Sequence, residues 1–125
     1  MKKSLLSAAA LWLALGSAAL AQGHSHGEKG PKGGVMQDVA GVHAELVVAE
    51  RTLTVYVYDE DGKPIPSAGF SGSALVGSGQ TRQVVQLASG SDNALAGASS
   101  TAVPKGAPVT LQLKAPNGKT GQAKF

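Results

Sequence analysis

Three histidines are the only imidazoles in the chain, and two of them, His24 and His26, stand in the stretch Gln22-Gly23-His24-Ser25-His26-Gly27. If the chain is cut after Ala21, histidine becomes the third residue of the new terminus. The amine of Gln22, the amide nitrogens of Gly23 and His24 once deprotonated, and the His24 imidazole can then lie in one plane around a metal ion. Square-planar nitrogen coordination is what Cu(II) and Ni(II) favour. Gly23 leaves the chelate uncrowded, and His26 adds a neighbouring imidazole. Two competing readings use the same residues: a short Gly/Ser/His stretch is also the composition of a solvated linker, and Gln22 can cyclise and lose its amine.

The third histidine lies further on, in a stretch that alternates. Successive residues of a strand point to opposite faces, so His43, Glu45 and Val47 share the face away from the apolar row Val42, Ala44, Leu46 and Val48. His43 and Glu45 are then about 7 Å apart along the strand. Such a pair can orient an imidazole or share a metal, and it is equally what an ordinary surface pair looks like.

Little else in the chain carries chemistry. There is no cysteine to act as a nucleophile. No serine sits in a G-x-S-x-G elbow, which Gly69-Phe70-Ser71-Gly72-Ser73 misses by one position. The expectation is a protein that is not an enzyme. Asp59-Glu60-Asp61-Gly62 lacks the spacing and the closing glutamate of an EF-hand loop, and it reads as a solvated acidic turn. Met36 is the one methionine besides the initiator, so a Cu(I) site of clustered thioethers does not fit.

The elements that must position these residues begin with a segment expected to be removed. Residues 1–21 read as a signal peptide: Lys2 and Lys3, an apolar run from Leu5 to Leu15, then Ala19-Leu20-Ala21 as a small-x-small cleavage site. The run is shorter than the roughly 20 apolar residues of a spanning helix, and no cysteine is present to take a lipid. The expected product is periplasmic or secreted, without membrane insertion after cleavage. Taking residues 1–21 from 125 leaves 104, and losing two lysines lowers the net charge from +3 to +1. The remaining Lys and Arg are scattered singly, which offers no stripe for nucleic acid. Without cysteine no disulfide braces the fold, and a chain of this length supports one modest core.

Residues 22–34 read as a flexible His/Gly-rich leader, and residues 35–125 as one β domain. Val109-Thr110-Leu111-Gln112-Leu113-Lys114 alternates strictly, as do Leu53, Val55 and Val57 with Thr54, Tyr56 and Tyr58. Turn residues separate such stretches at Asp59 to Pro66, Gly77 to Gly79, Ser89 to Ser91 and Pro116-Asn117-Gly118. Seven or eight short strands are expected, with no helix, and an immunoglobulin-like β-sandwich is the natural way to pack them. With Phe70, Phe125, Tyr56 and Tyr58 as its only aromatics, the core is light in the side chains that bury the most area.

Three motifs carry a resemblance: Pro31-Lys32-Gly33-Gly34, then Gly41-Val42-His43-Ala44-Glu45-Leu46, then an aromatic strand and the turn from Asp59 to Pro64. In these the chain resembles small periplasmic heavy-metal-associated proteins and the similar domains that accompany membrane-fusion subunits of metal efflux pumps. The likeness covers roughly the first third of the expected mature chain. It implies a β-sandwich, a role around copper or related cations, and His43 as a ligand with Glu45 as its partner. At one position the chain departs from the pattern, with Lys32 where P-H-G-G is usual. A protonated lysine cannot coordinate, so if that position supplies a ligand in the family, the implied site is weakened here or shifted to His24 and His26.

The expected function is therefore an exported metal-binding protein that buffers or carries Cu(II), or alternatively nickel or zinc, near an efflux pump subunit. Its expected ligands are Gln22 through its amine, His24, His26, His43 and Glu45. The rival is an immunoglobulin-like or transthyretin-like module that contacts another exported protein without metal.

Overall fold

The alternating stretches become strands wherever one face meets the core. The computed structural model describes residues 27–125; the expected signal peptide and the Gln22, His24 and His26 part of the expected leader lie outside the described residues. The strands are β1 (Val35–Val39), β2 (Val42–Ala49), β3 (Thr52–Tyr58), β4 (Ser71–Val76), β5 (Gln83–Ser89), β6 (Ala94–Ala98), β7 (Val109–Lys114) and β8 (Thr120–Lys124). A single 3-10 turn, Gly79–Thr81, lies between β4 and β5. Among the described residues the fold is all-β with eight short strands, as expected.

All neighbours in the sheet are antiparallel, in the order β1-β2-β3-β6-β5-β4-β7-β8. The joint between β5 and β6 holds only two register pairs, Ala88 with Ala96 and Ser89 with Leu95. It divides the sheet into two four-stranded halves that fold over one core. Leu46, Leu53, Val55, Val57 and Leu95 come from one half; Val76, Val85, Leu87, Leu111 and Leu113 come from the other. Each such side chain contributes about 1.5–3 kcal/mol when taken out of water, so a core of aliphatic side chains with Phe70 at its edge suffices for a domain of this size.

Two glycines let the halves meet. At Gly97 on β6, a Cβ would stand 2.3 Å from the Gln86 carbonyl oxygen and 2.7 Å from a Val85 methyl, so only hydrogen fits where the sheet turns the corner. On the opposite side β8 closes against the turn after β1, where a Cβ on Gly121 would come within 2.7 Å of the Ala40 nitrogen. The sheet is nearly closed like a barrel. Its first strands are joined by Ala40-Gly41, both at positive φ (53° and 81°), the geometry of the tight turn that matches the twist of an antiparallel pair.

That hairpin sets the register on which the candidate site depends. Val39 faces Val42, Asp38 faces His43 and Met36 faces Glu45, while His43 and Glu45 face Tyr58 and Tyr56 on β3. Of the expected apolar row on β2, Ala44 and Leu46 are buried, whereas Val48 is 38% exposed because the strand runs past the end of the core.

Candidate functional site

Directly opposed residues of antiparallel strands share a face. Two rows therefore stand together outside the core, Asp38–His43–Tyr58 and Met36–Glu45–Tyr56. The sequence places His43 and Glu45 side by side on this face, and so does the structure. Their surroundings differ completely.

Glu45 is fully buried. Residues 30–34 curl over it, closed on themselves by hydrogen bonds from the Gly33 nitrogen to the Gly30 carbonyl and from the Gly30 nitrogen to the Gly34 carbonyl, both 2.9 Å. The backbone nitrogens of Lys32 and Gly34 donate to Glu45 Oε2 at 2.9 and 2.8 Å, and the Tyr58 hydroxyl donates to Oε1 at 2.9 Å. Hydrogen bonds to a charged group are worth about 1.5–3 kcal/mol each, and three of them offset the cost of burying the carboxylate. Glu45 was expected as a metal co-ligand of His43. Its oxygens are instead taken up by these donors, and what it holds is the loop.

The loop sequence answers the same demand. A Cβ on Gly30 would sit 2.2 Å from Glu45 Cδ, and one on Gly34 would sit 2.2 Å from the Leu46 carbonyl oxygen. Only the backbone of Lys32 is used by Glu45, so its side chain is free to lie over Tyr56, with Nζ 5.4 Å from the ring centroid, a cation–π distance. Tyr58 in turn has its phenol pushed up to about 12, first by burial and then by its hydrogen bond to Glu45 and the charge there.

Beyond the loop the chain runs back along the free edge of β1. Lys29 bridges to Val35, and the Met36 nitrogen donates to the Glu28 carbonyl at 2.7 Å. The leader, expected to be flexible to residue 34, is thus built onto the sheet from Gly27 onward. Its glycines looked like a linker in sequence, but they are the residues that permit the close approach to Glu45 and Leu46.

His43 is partly open, with its side chain about one-third exposed. Its Nδ1 contacts the carboxylate of Asp38, which lies on β1 and is itself largely in solvent. The pair opens onto a groove of about 680 Å³ lined also by Gly27, Glu28, Met36, Glu60 and Asp61. The turn that supplies the last two is built by Asp59, whose Oδ1 accepts from the nitrogens of Asp61 and Lys63, both at 2.9 Å. With Glu28, Asp38, Glu60 and Asp61 around one imidazole, the groove favours cations.

Among the described residues no three His, Asp or Glu side chains converge closely enough to hold a metal ion by themselves. Sequence reasoning missed Asp38. The signal was present, because a two-residue Ala40-Gly41 turn puts the residue five before His43 directly across from it. No protein-family model matches the chain, and neither the curated proteins nor the solved structures contain a match.

Proposed function

We propose that the protein is an exported metal-binding protein that takes up a divalent cation, Cu(II) first with Ni(II) or Zn(II) as alternatives, through the histidines before Gly27 together with His43. It acts as a periplasmic buffer or carrier beside a metal efflux system. One observation carries the reading: Gly27, next in sequence to His26, lines the same groove as His43. The acidic lining adds long-range attraction for cations. Imidazoles ligate when neutral, so uptake falls as protons compete for them at lower pH.

Calorimetric titration of the chain beginning at Gln22 with Cu(II), Ni(II) and Zn(II) tests it. One tight equivalent of at least one of these ions is expected, weakened when His24 and His26 are both replaced by alanine. No uptake of any of the three would remove the proposal.

The rival reading, an interaction module without metal, is favoured by a second groove of about 690 Å³, in which Val35, Val47, Val48, Val103 and Phe125 present apolar surface. Mutation of Val35 and Val48 to serine leaves metal uptake intact under the first reading. Under the rival it abolishes association with a partner protein.

A further inference from the structure

On β4, β5, β7 and β8 the side chains that alternate with the core residues Ala74, Leu87, Leu111, Leu113 and Ala123 face outward. The register sets them in rows across the four strands. One row reads Gln86–Ser73–Gln112–Gln122, and the next, two residues along β4, reads Ala88–Ser71–Lys114–Thr120. β4 contributes only serines to these rows, with Gly72 between them, whereas its neighbours carry the longer Gln86, Gln112 and Lys114. Short residues between long ones make a trough, and a depression of about 650 Å³ is lined by Ser71, Gly72 and Ser73 together with those three. On the far side of the Ser73 row the face continues to Leu75, set between Val84 and Thr110, with Lys124 beyond Thr110.

The chemistry of this face is specific. Among the described residues, the side chains of Ser71, Ser73, Gln86, Gln112 and Gln122 spend no donor or acceptor on the protein. Each glutamine brings two N–H donors and a carbonyl, and each serine a hydroxyl that does either. Asp92 is the only acidic residue after Asp61 and lies in the turn before β6, so these four strands carry no carboxylate. The charges on the face are Lys114 and Lys124, and neither is in an ion pair among the described residues. Their rows are four residues apart along the strands, roughly 13 Å. A metal ion finds two cations here and no imidazole or carboxylate. An apolar partner would leave the amides and hydroxyls unpaired, which costs more than it gains. What matches is an extended ligand that is rich in both donors and acceptors and negative at intervals.

We infer that this trough binds an acidic polysaccharide. Its hydroxyls pair with Gln86, Gln112, Gln122 and the two serines, while its carboxylates reach Lys114 and Lys124 in charge-assisted bonds. The C–H faces of its rings lie toward Leu75 and Val84, and the latter is otherwise an unexplained valine, 61% exposed. The inference goes beyond the metal-binding reading and does not depend on it.

Oligogalacturonate is the probe, titrated into the nitrogen-15-labelled chain beginning at Gln22 with a chelator present, so that metal plays no part. The side-chain amide resonances of Gln86, Gln112 and Gln122 should shift together, while that of Asn93, committed to the Val57 carbonyl, stays still. Ser73→Leu fills the trough from the outer face and should lower affinity at least roughly tenfold, the worth of several hydrogen bonds, with an unchanged β spectrum. Gln112→Ala should lower it roughly three- to tenfold, the worth of one, and decides the matter if Ser73→Leu does not fold. Lys114→Gln should weaken binding and flatten its dependence on salt. Malto-oligosaccharide, with hydroxyls and no charge, and inorganic polyphosphate, with charge and no sugar, should each bind more weakly than the polyuronate. Absence of the three glutamine shifts, or full affinity in a folded Ser73→Leu protein, overturns the inference. So does polyphosphate binding as tightly as oligogalacturonate, which would mean attraction to charge alone. None of these outcomes bears on metal uptake, which the calorimetric titration tests separately.

Discussion

The Tyr58 hydroxyl meets Glu45 Oε1 at 2.9 Å, so a phenol and a carboxylate from neighbouring strands share one buried hydrogen bond beneath residues 30–34. The phenol must stay protonated to donate it. Its pKa of about 12 lies above the ordinary 10.0, with burial the largest cause. A group whose folded pKa is raised contributes stability that is complete below its unfolded pKa and is lost as pH rises through the folded one. Unfolding free energy should therefore begin to fall above pH 10 and go on falling to about pH 12. Near-ultraviolet titration should show a phenolate transition near pH 12 that Tyr58→Phe removes. A Tyr58 transition at the ordinary value would contradict the buried bond.

Gly30→Ala places a methyl 2.2 Å from Glu45 Cδ. Overpacking of this kind costs about 1–3 kcal/mol, and here it must also loosen the donors of the loop. Hydrogen exchange at the Lys32 and Gly34 amides should accelerate along with the loss in stability. Gly90→Ala is the control, since its Cβ meets only the Ala94 carbonyl oxygen at 3.5 Å, in ordinary contact, and it should be close to neutral. Equal tolerance of both changes would mean that the loop is not packed on Glu45.

Leu111 is fully buried at the centre of β7, paired with Ala74 and Ala123. Leu111→Asp introduces a carboxylate with no donor near it, which costs several kcal/mol against a total stability of about 5–15 kcal/mol. Far-ultraviolet circular dichroism should show the β signal lost at room temperature, while Gln112→Asp on the exposed face of the same strand should keep it. A folded Leu111→Asp protein would refute the register of β7.

Inserting one alanine before Gln22 retains every side chain and moves His24 from third to fourth. If the amine of Gln22 anchors a planar chelate, Cu(II) affinity and the visible band of four-nitrogen coordination should both be lost. Loss of both would separate the chelate from simple attraction to histidine side chains, all of which the insertion retains. An unchanged Cu(II) spectrum after the insertion, or a terminus found as pyroglutamate, would eliminate the amine chelate.

The parts of this structure that were legible in the sequence are those where a single period governs. Leu53, Val55 and Val57, and Val109, Leu111 and Leu113, alternate because one face is buried and the other is wet, and all six are buried. Turns at Asp59 and at Pro116-Asn117-Gly118 announced themselves by residue type, and Asn117 Oδ1 indeed accepts from the Lys119 nitrogen at 3.0 Å. β1 was not legible, since Val35 is exposed and the strand has no clean alternation. The burial of Glu45 was not legible for a related reason. Alternation tells which residues share a face, but not that a loop 11 to 15 residues earlier in the chain will roof that face at one position and leave it open two residues before. The Gly-rich composition of residues 30–34 suggested mobility, although the same lack of side chains is what lets backbone nitrogens reach a buried carboxylate.

The order of strands in the sheet bears on how fast the chain can fold. β6 lies between β3 and β5, so it completes one half of the sheet while fastening it to the other. The hairpins β1–β2–β3 and β4–β5 can form from neighbours in sequence, but β6 must find β3 across some forty residues, pairing Val55 with Leu95. Topologies dominated by such distant pairings fold in milliseconds to seconds rather than microseconds. Arrival of β6 joins the two halves into one domain, and Gly97, where the Gln86 carbonyl leaves no room for a side chain, is a residue at which the timing of that step can be probed. Stopped-flow refolding of Gly97→Ala should show a slowed folding limb if β6 docks in the transition state, and only a faster unfolding limb if it docks afterwards.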